Sequence, residues 1–257
     1  MGPLLDALLL GVIQGLTEFL PISSSGHVAI GLHLLGHEDP EENLALIVAV
    51  HLGSLAAILL FSRRELIAML TRRPRLLAVT IVATVPVAVV GLLLKDTVEA
   101  IATNLWVVGA CLLATAGLLL FGRRRDTGTG ESADLPWLKA LGIGVAQAAA
   151  ILPGLSRSGS TLAAGLVSGL EREQALRFAF LLAAPAIAGA GLVMAVGGDG
   201  WGGTGAGTLV AGAATSFVAS LAAMAAMVRV VAKRRLGWFA VYCAAAGLFA
   251  FTLALLG

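Results

Sequence analysis

Apolar residues in this chain do not alternate with polar ones. They come in long unbroken runs separated by short polar stretches. Ten runs can be marked: 1–20, 28–36, 44–61, 76–94, 101–121, 137–152, 161–170, 178–197, 208–228 and 237–257. A lipid-facing β-barrel needs a period of two, which is absent, so the pattern predicts helices. Crossing a bilayer takes about 20 helical residues, with a range of about 17–25. Apart from 1–20, which leads into a polar break, six runs meet that length: 44–61, 76–94, 101–121, 178–197, 208–228 and 237–257. The runs 28–36 and 161–170 are too short to cross, and each follows a Pro/Ser/Gly break, at 21–26 and 153–159. A long run, a polar break and a short run predict a re-entrant hairpin. Such broken backbone is tolerated at membrane depth only where it is buried or lines a cavity. The expected fold is therefore an all-α integral membrane protein with six transmembrane helices and two re-entrant helical hairpins.

Composition agrees and excludes the alternatives. The 257 residues are 58% hydrophobic and 12% charged, against about 45–50% and about 25% in soluble domains. So little charge cannot cover a soluble surface, and disordered chains are polar and charge-rich. Glycine is frequent, but the collagen triplet is absent. The net charge is +2 and the basic residues sit in short blocks, so no nucleic-acid partner is expected. Cys111 and Cys243 lie inside apolar runs and read as small buried hydrophobes. Zinc-ligand spacing is absent. The first residues lack a positive n-region, so no cleaved signal peptide is expected.

Charge also orients the segments. With six spans and two hairpins, fifteen of the seventeen basic residues fall on one side, in blocks at 63–75, 123–125, 139, 172–177 and 229–235. That side is expected to be cytoplasmic. The loops 37–43, 95–100 and 197–207 and both termini are then external. The two basic residues left over are Lys95, in an outer loop, and Arg157, inside the second break.

The two breaks belong to a repeat. Gly11-Val12-Ile13-Gln14 matches Gly144-Val145-Ala146-Gln147, and the Leu-Pro…Ser…Gly stretch at 20–26 returns at 152–159, at an offset of 133 residues with one compensated gap. The repeat divides a single membrane domain (1–257) into halves 1–125 and 134–257. Each has one hairpin and three spans. Three is odd, so the halves insert with opposite topology, which places their broken helices together near the midplane.

Charges within membrane segments are costly and mark function by default. Glu18 and Arg157 fall in the two broken elements; Asp6, nearer the end of its run, reads as structural. Ser23, Ser24 and Ser25 follow Pro21, and Ser156, Ser158, Gly159 and Thr161 surround Arg157. Two helix N-termini, several hydroxyls and a guanidinium make a phosphate site. The serines offer a nucleophile, and Glu18 and His27 offer proton carriers. Gln14, one turn before Glu18, lies on the same helix face and could orient a phosphate, a water or a cation. His33, His37 and His51 have no such company and read as structural.

The stretch Gln14-Gly15-Leu16-Thr17-Glu18-Phe19-Leu20-Pro21-Ile22-Ser23-Ser24-Ser25-Gly26-His27 resembles the (E/Q)xxxE motif and Ser-rich extension of the bacterial undecaprenyl-diphosphate phosphatases, the UppP/BacA family. Residues 153–161 fit that family's PGxSRSxxT motif throughout. The resemblance covers essentially the whole chain. It implies hydrolysis of undecaprenyl diphosphate to undecaprenyl phosphate and inorganic phosphate, recycling the lipid carrier for cell-wall synthesis and conferring bacitracin tolerance. It also implies residence in the bacterial inner (plasma) membrane, an outward-facing site and a divalent cation, Mg²⁺ or Ca²⁺. By similarity Ser24 is the nucleophile, Glu18 or His27 activates it, and Arg157 stabilises charge on the transferring phosphoryl group. Ser23, Ser25, Ser156, Ser158 and Thr161 then hold phosphate oxygens. Gln14 stands where many members carry Glu, which leaves Glu18 as the carboxylate for a metal.

A second reading is a lipid-phosphate flippase or transporter, since inverted repeats with broken helices are also a transporter plan. It would use the same phosphate site without a nucleophile. A channel would need a ring of like charges within the spans, which is missing. The implied partners are the lipid diphosphate and membrane lipids. The Gly- and Ala-rich spans permit close helix packing within or between subunits, so a homodimer is admitted.

Overall fold

The computed structural model describes residues 2–36, 44–197, 205–233 and 235–256. These form twelve α-helices: α1 (Pro3–Phe19), α2 (Ser24–Leu35), α3 (Leu44–Phe61), α4 (Arg63–Thr71), α5 (Pro74–Leu93), α6 (Lys95–Ile101), α7 (Leu105–Arg124), α8 (Trp137–Ala149), α9 (Arg157–Val167), α10 (Arg172–Gly197), α11 (Ala206–Ala232) and α12 (Leu236–Leu256). A 3-10 turn at Ser132–Asp134 lies in the linker before α8.

Among the described residues six helices are long and apolar enough to cross a bilayer: α3, α5, α7, α10, α11 and α12. They are the six expected from the sequence, and the protein is an all-α integral membrane protein. Two of them carry an internal proline, Pro86 in α5 and Pro185 in α10, which neighbouring helices in a membrane accommodate. Several boundaries differ from the apolar runs. α10 starts at Arg172 and α11 reaches Ala232, because helical hydrogen bonding continues through charged turns at the membrane surface. The basic stretch after α3 and the loop after α5 each contain a short helix, α4 and α6, whose polar composition hid them. The loop 37–43 with His37, most of the Gly-rich loop 197–207, and Arg234 lie outside the described residues.

α1 and α2 form one hairpin, α8 and α9 the other. Their packing is exchanged between the halves of the chain: α1 packs chiefly against α11, and α8 against α5, while α7 pairs with α12. Matching glycines make both close approaches. A Cβ at Gly11 would lie 2.6 Å from the carbonyl oxygen of Gly212 in α11, and one at Gly144 2.5 Å from that of Ala83 in α5. Small residues that let backbones meet are the usual glue of membrane helices.

The basic blocks gather at one end of the bundle. Arg172 pairs with Asp126 at 2.7 Å, and Arg177 with Glu65 and Glu173. Arg75 donates to the carbonyl of Ala133 at 2.9 Å, and Lys139 to that of Ser168 at 2.8 Å. Lys95 and Glu99 pair on α6, a full span of about 30 Å away along α5.

Candidate active site

α1 stops where Pro21 removes a backbone donor and Leu20 turns extended. The chain then folds back through Ser23, whose φ of 70° makes it the one non-glycine residue with positive φ among the described residues. A side chain held in that region is strained by about 1–3 kcal/mol. Ser23 caps α2, its Oγ accepting from the Gly26 amide at 3.3 Å. The second break repeats this construction. Ser156 caps α9 by accepting from the Gly159 amide at 3.1 Å, and Gly154 supplies the positive φ.

Two spans staple these turns. Thr115 of α7 donates to the Gly154 carbonyl and accepts from the Ser156 amide, both at 3.0 Å. Cys243 of α12 reaches the Pro21 carbonyl at 3.5 Å. The turns also touch each other. Ser158 donates across to the Leu20 carbonyl at 2.8 Å, and a Cβ on Gly26 would lie 3.0 Å from Cα of Gly154.

This brings the first residues of α2 and α9, Ser24 and Arg157, onto one carboxylate. Ser24 Oγ donates to Glu18 Oε2 at 2.6 Å, Gln14 Nε2 donates to the same oxygen at 2.8 Å, and Arg157 Nη2 donates to Oε1. The ion pair is largely sheltered, with side-chain exposures of 14% for Arg157 and 7% for Glu18. Within this cluster two buried polar atoms have no hydrogen-bond partner among the described residues: Arg157 Nη1, a donor, and Gln14 Oε1, an acceptor.

A cleft of about 170 Å³ opens over this pair. Its polar lining is Glu18, Ser23, Ser24, Ser25, Ser156, Arg157, Ser158 and His51. Its apolar wall comes from Ala150, Ile151 and Leu155, with Ala186, Ile187 and Ala190 of α10. Two helix N-termini, a free guanidinium donor and a ring of hydroxyls suit an anion with several oxygens. Ser24 hydrogen-bonded to a carboxylate is the geometry of a nucleophile beside its base.

Seven of the residues singled out from the sequence meet in this cleft. Four do not line it. Gln14 stands behind Glu18. Gly159 serves the cap of α9, and Thr161 donates to the Arg157 carbonyl at 2.9 Å rather than into the cleft. His27 is also turned elsewhere: Nδ1 lies 2.7 Å from the Ser23 carbonyl and Nε2 2.8 Å from the Tyr242 hydroxyl, with the rings stacked. Of the two expected activators of Ser24, Glu18 is the one that touches it.

His51 is the converse correction. Read as structural, it lines the cleft. It arrives on α3, remote in sequence from both breaks, and no local pattern announces it. Among the described residues no cluster of three or more His, Cys, Asp or Glu could hold a metal ion.

Comparison with known proteins bears on this arrangement. The family model described as bacitracin resistance protein BacA matches residues 7–249. A protein of Desulforapulum autotrophicum named undecaprenyl-diphosphatase is 39% identical, covering 95% of this chain and 96% of its own. Proteins of the same name from Syntrophotalea carbinolica and Bacteroides thetaiotaomicron are 42% and 40% identical, over 93% and 95% of this chain and 94% and 96% of theirs.

Proposed function

The chain belongs to the bacitracin resistance protein BacA family, and on that footing we propose that it is an undecaprenyl-diphosphatase, an integral membrane enzyme that cleaves undecaprenyl diphosphate to undecaprenyl phosphate and inorganic phosphate. The observation that carries the proposal is the meeting of Ser24 and Arg157, each the first residue of a re-entrant helix, on Glu18.

The terminal phosphate enters with its oxygens toward the amide ends of α2 and α9 and the hydroxyls of Ser25 and Ser156, while Ser158 keeps its hydrogen on the Leu20 carbonyl. Arg157 turns its free Nη1 to it. Ser24 attacks the terminal phosphorus and Glu18 takes its proton. As the anhydride bond breaks, charge spreads over oxygens already faced by the guanidinium and helix dipoles, so stabilisation requires no reorganisation. Thr161 contributes by fixing the first turn of α9, and His27 by holding the carbonyl of Ser23.

A divalent cation fits in one form only. Glu18 already receives three donors, and the unpartnered oxygen nearest it, Gln14 Oε1, is buried behind it rather than in the cleft. That donor set suits a hard ion that takes most of its oxygens from the substrate, as Mg²⁺ commonly does. When bound, it would neutralise charge on the diphosphate.

The cleft is read as opening outward, on the bacterial plasma membrane. Its α10 lining is Ala186, Ile187 and Ala190, in the later part of the helix, whereas Arg172 and Arg177 mark the basic end. The exchanged packing of α1 on α11 and α8 on α5 supports inverted halves 1–125 and 134–257.

The test is phosphate release from undecaprenyl diphosphate by the purified protein in detergent, with Ser24→Ala and Arg157→Ala beside it. Release by wild type that is lost in both supports the proposal. No release under any divalent condition overturns it in favour of transport.

A further inference from the structure

The cleft contains one more group with chemistry to offer. His51 reaches it from α3, beside Glu18, Ser24 and Arg157. Its Nδ1 lies 2.8 Å from the carbonyl of Ile47, one turn back. A carbonyl only accepts, so in the neutral ring Nδ1 carries the hydrogen and Nε2 keeps its lone pair. Among the described residues Nε2 has no hydrogen-bond partner.

A second proton acceptor is something the proposed chemistry requires. In the first half of the reaction, Ser24 Oγ bonds to the terminal phosphorus and the anhydride P–O bond breaks. The serine proton passes to Glu18, and the prenyl phosphate leaves with the bonding electron pair. Glu18 is then protonated when a water must be activated to free the phosphoserine. The other groups cannot serve. Arg157 stays protonated, and both nitrogens of His27 are engaged away from the cleft.

We infer that His51 Nε2 accepts the proton of the water that resolves the phosphoserine, which makes His51 a catalytic residue. This rests on the reading of Ser24 as nucleophile. The water oxygen bonds to phosphorus as the Oγ–P bond breaks. One water proton goes to His51 Nε2, and Glu18 returns its proton to Ser24 Oγ. His51 then releases its proton to solvent, and the site is restored with one water consumed.

General-base catalysis is typically worth about 10²–10⁴-fold. The experiment is a rapid acid quench with undecaprenyl diphosphate labelled in the terminal phosphate, on wild type, His51→Ala, His51→Gln and Ser24→Ala. In His51→Ala, prenyl phosphate appears in a burst approaching one per enzyme. Label accumulates on Ser24, and phosphate release slows by about 100-fold. His51→Gln keeps a side chain of similar reach that cannot take a proton, so it traps the same label and covers the case of an alanine variant that does not fold.

Phosphate release at the wild-type rate in both His51 variants overturns the inference, as does slowed release with Ser24 unlabelled. Ser24→Ala separates the two levels. If it is inert while the His51 variants turn over normally, the inference falls and the Ser24 reading stands. If it still releases phosphate, the Ser24 reading falls and takes the inference with it.

Discussion

Arg157→Met removes a guanidinium whose one ion partner among the described residues is the sheltered carboxylate of Glu18. Arg and Met side chains have similar reach, so the loss is chiefly electrostatic. A unit pair about 4 Å apart at an effective dielectric near 20 interacts by about 4 kcal/mol. Breaking a buried pair from one side costs about 3–5 kcal/mol, because the other charge is left uncompensated. Both side chains are too little exposed for solvent to screen much of this. The double variant Glu18→Gln/Arg157→Met has no charge left over. It loses a few hydrogen bonds at about 1 kcal/mol each, so it should be the more stable of the two by about 2 kcal/mol. Thermal unfolding followed by tryptophan fluorescence, at one scan rate in one detergent, reads the difference. The single variant should fall on the order of 10 °C below wild type, and the double should regain a substantial part of that. Phosphate release should stay at least about 10³-fold down in both, since the charge facing the phosphoryl group is missing either way. A double variant that melts as low as the single would refute the pairing argument, because uncompensated charge would then not be what destabilises.

Three further outcomes follow from the same geometry. Gly11→Leu, which forces a branched side chain against the Gly212 carbonyl, should prevent α1 from seating on α11; overpacking alone costs about 1–3 kcal/mol, and protease resistance in detergent should drop sharply. Tyr242→Phe removes the hydroxyl that holds His27 Nε2, so turnover should fall, but by less than in His27→Ala, which also releases the Ser23 carbonyl; equal losses would show that the hydroxyl carries the whole effect. If a divalent cation joins the site with the substrate, as proposed, chelation by EDTA should abolish phosphate release and leave the melting temperature within about 2 °C, because such an ion would take most of its ligands from substrate; a large fall in melting temperature without substrate would point instead to a structural site.

The sequence makes the spans legible because a continuous apolar run of about 20 residues has few uses other than crossing a bilayer. Glu18 and Arg157 are legible because charge is so rare here that its placement carries information. What stayed hidden depends on direction and on distant partners. His27 is one turn from Ser24, but the Ser23 carbonyl at the cap captures its Nδ1, and Tyr242, 215 residues further on, captures Nε2. Proximity along the chain says nothing about that. His51 shows the reverse: its one polar neighbour within α3, Ser54, is turned to Ser216 of α11, and its place in the cleft exists only once α3 packs beside α1 and α11. The helices α4 and α6 were hidden because they are short and polar, and an isolated helix of such length is too weak to leave a pattern.

The exchanged packing of α1 and α11 also sets a timetable. A ribosome adding about 5–20 residues per second delivers Gly212 roughly 10–40 s after Gly11. Throughout that interval the first hairpin, carrying Asp6, Gln14 and Glu18, is in the membrane without the helix it is shaped to meet. Glu18 acquires Arg157 before α1 acquires its main neighbour, so this ion pair can form while its scaffold is still incomplete. A chain cut in the linker at 126–136 therefore yields two halves that each lack a surface the other holds. Synthesised together they should assemble, and synthesised alone each should be cleared by the cell's proteases.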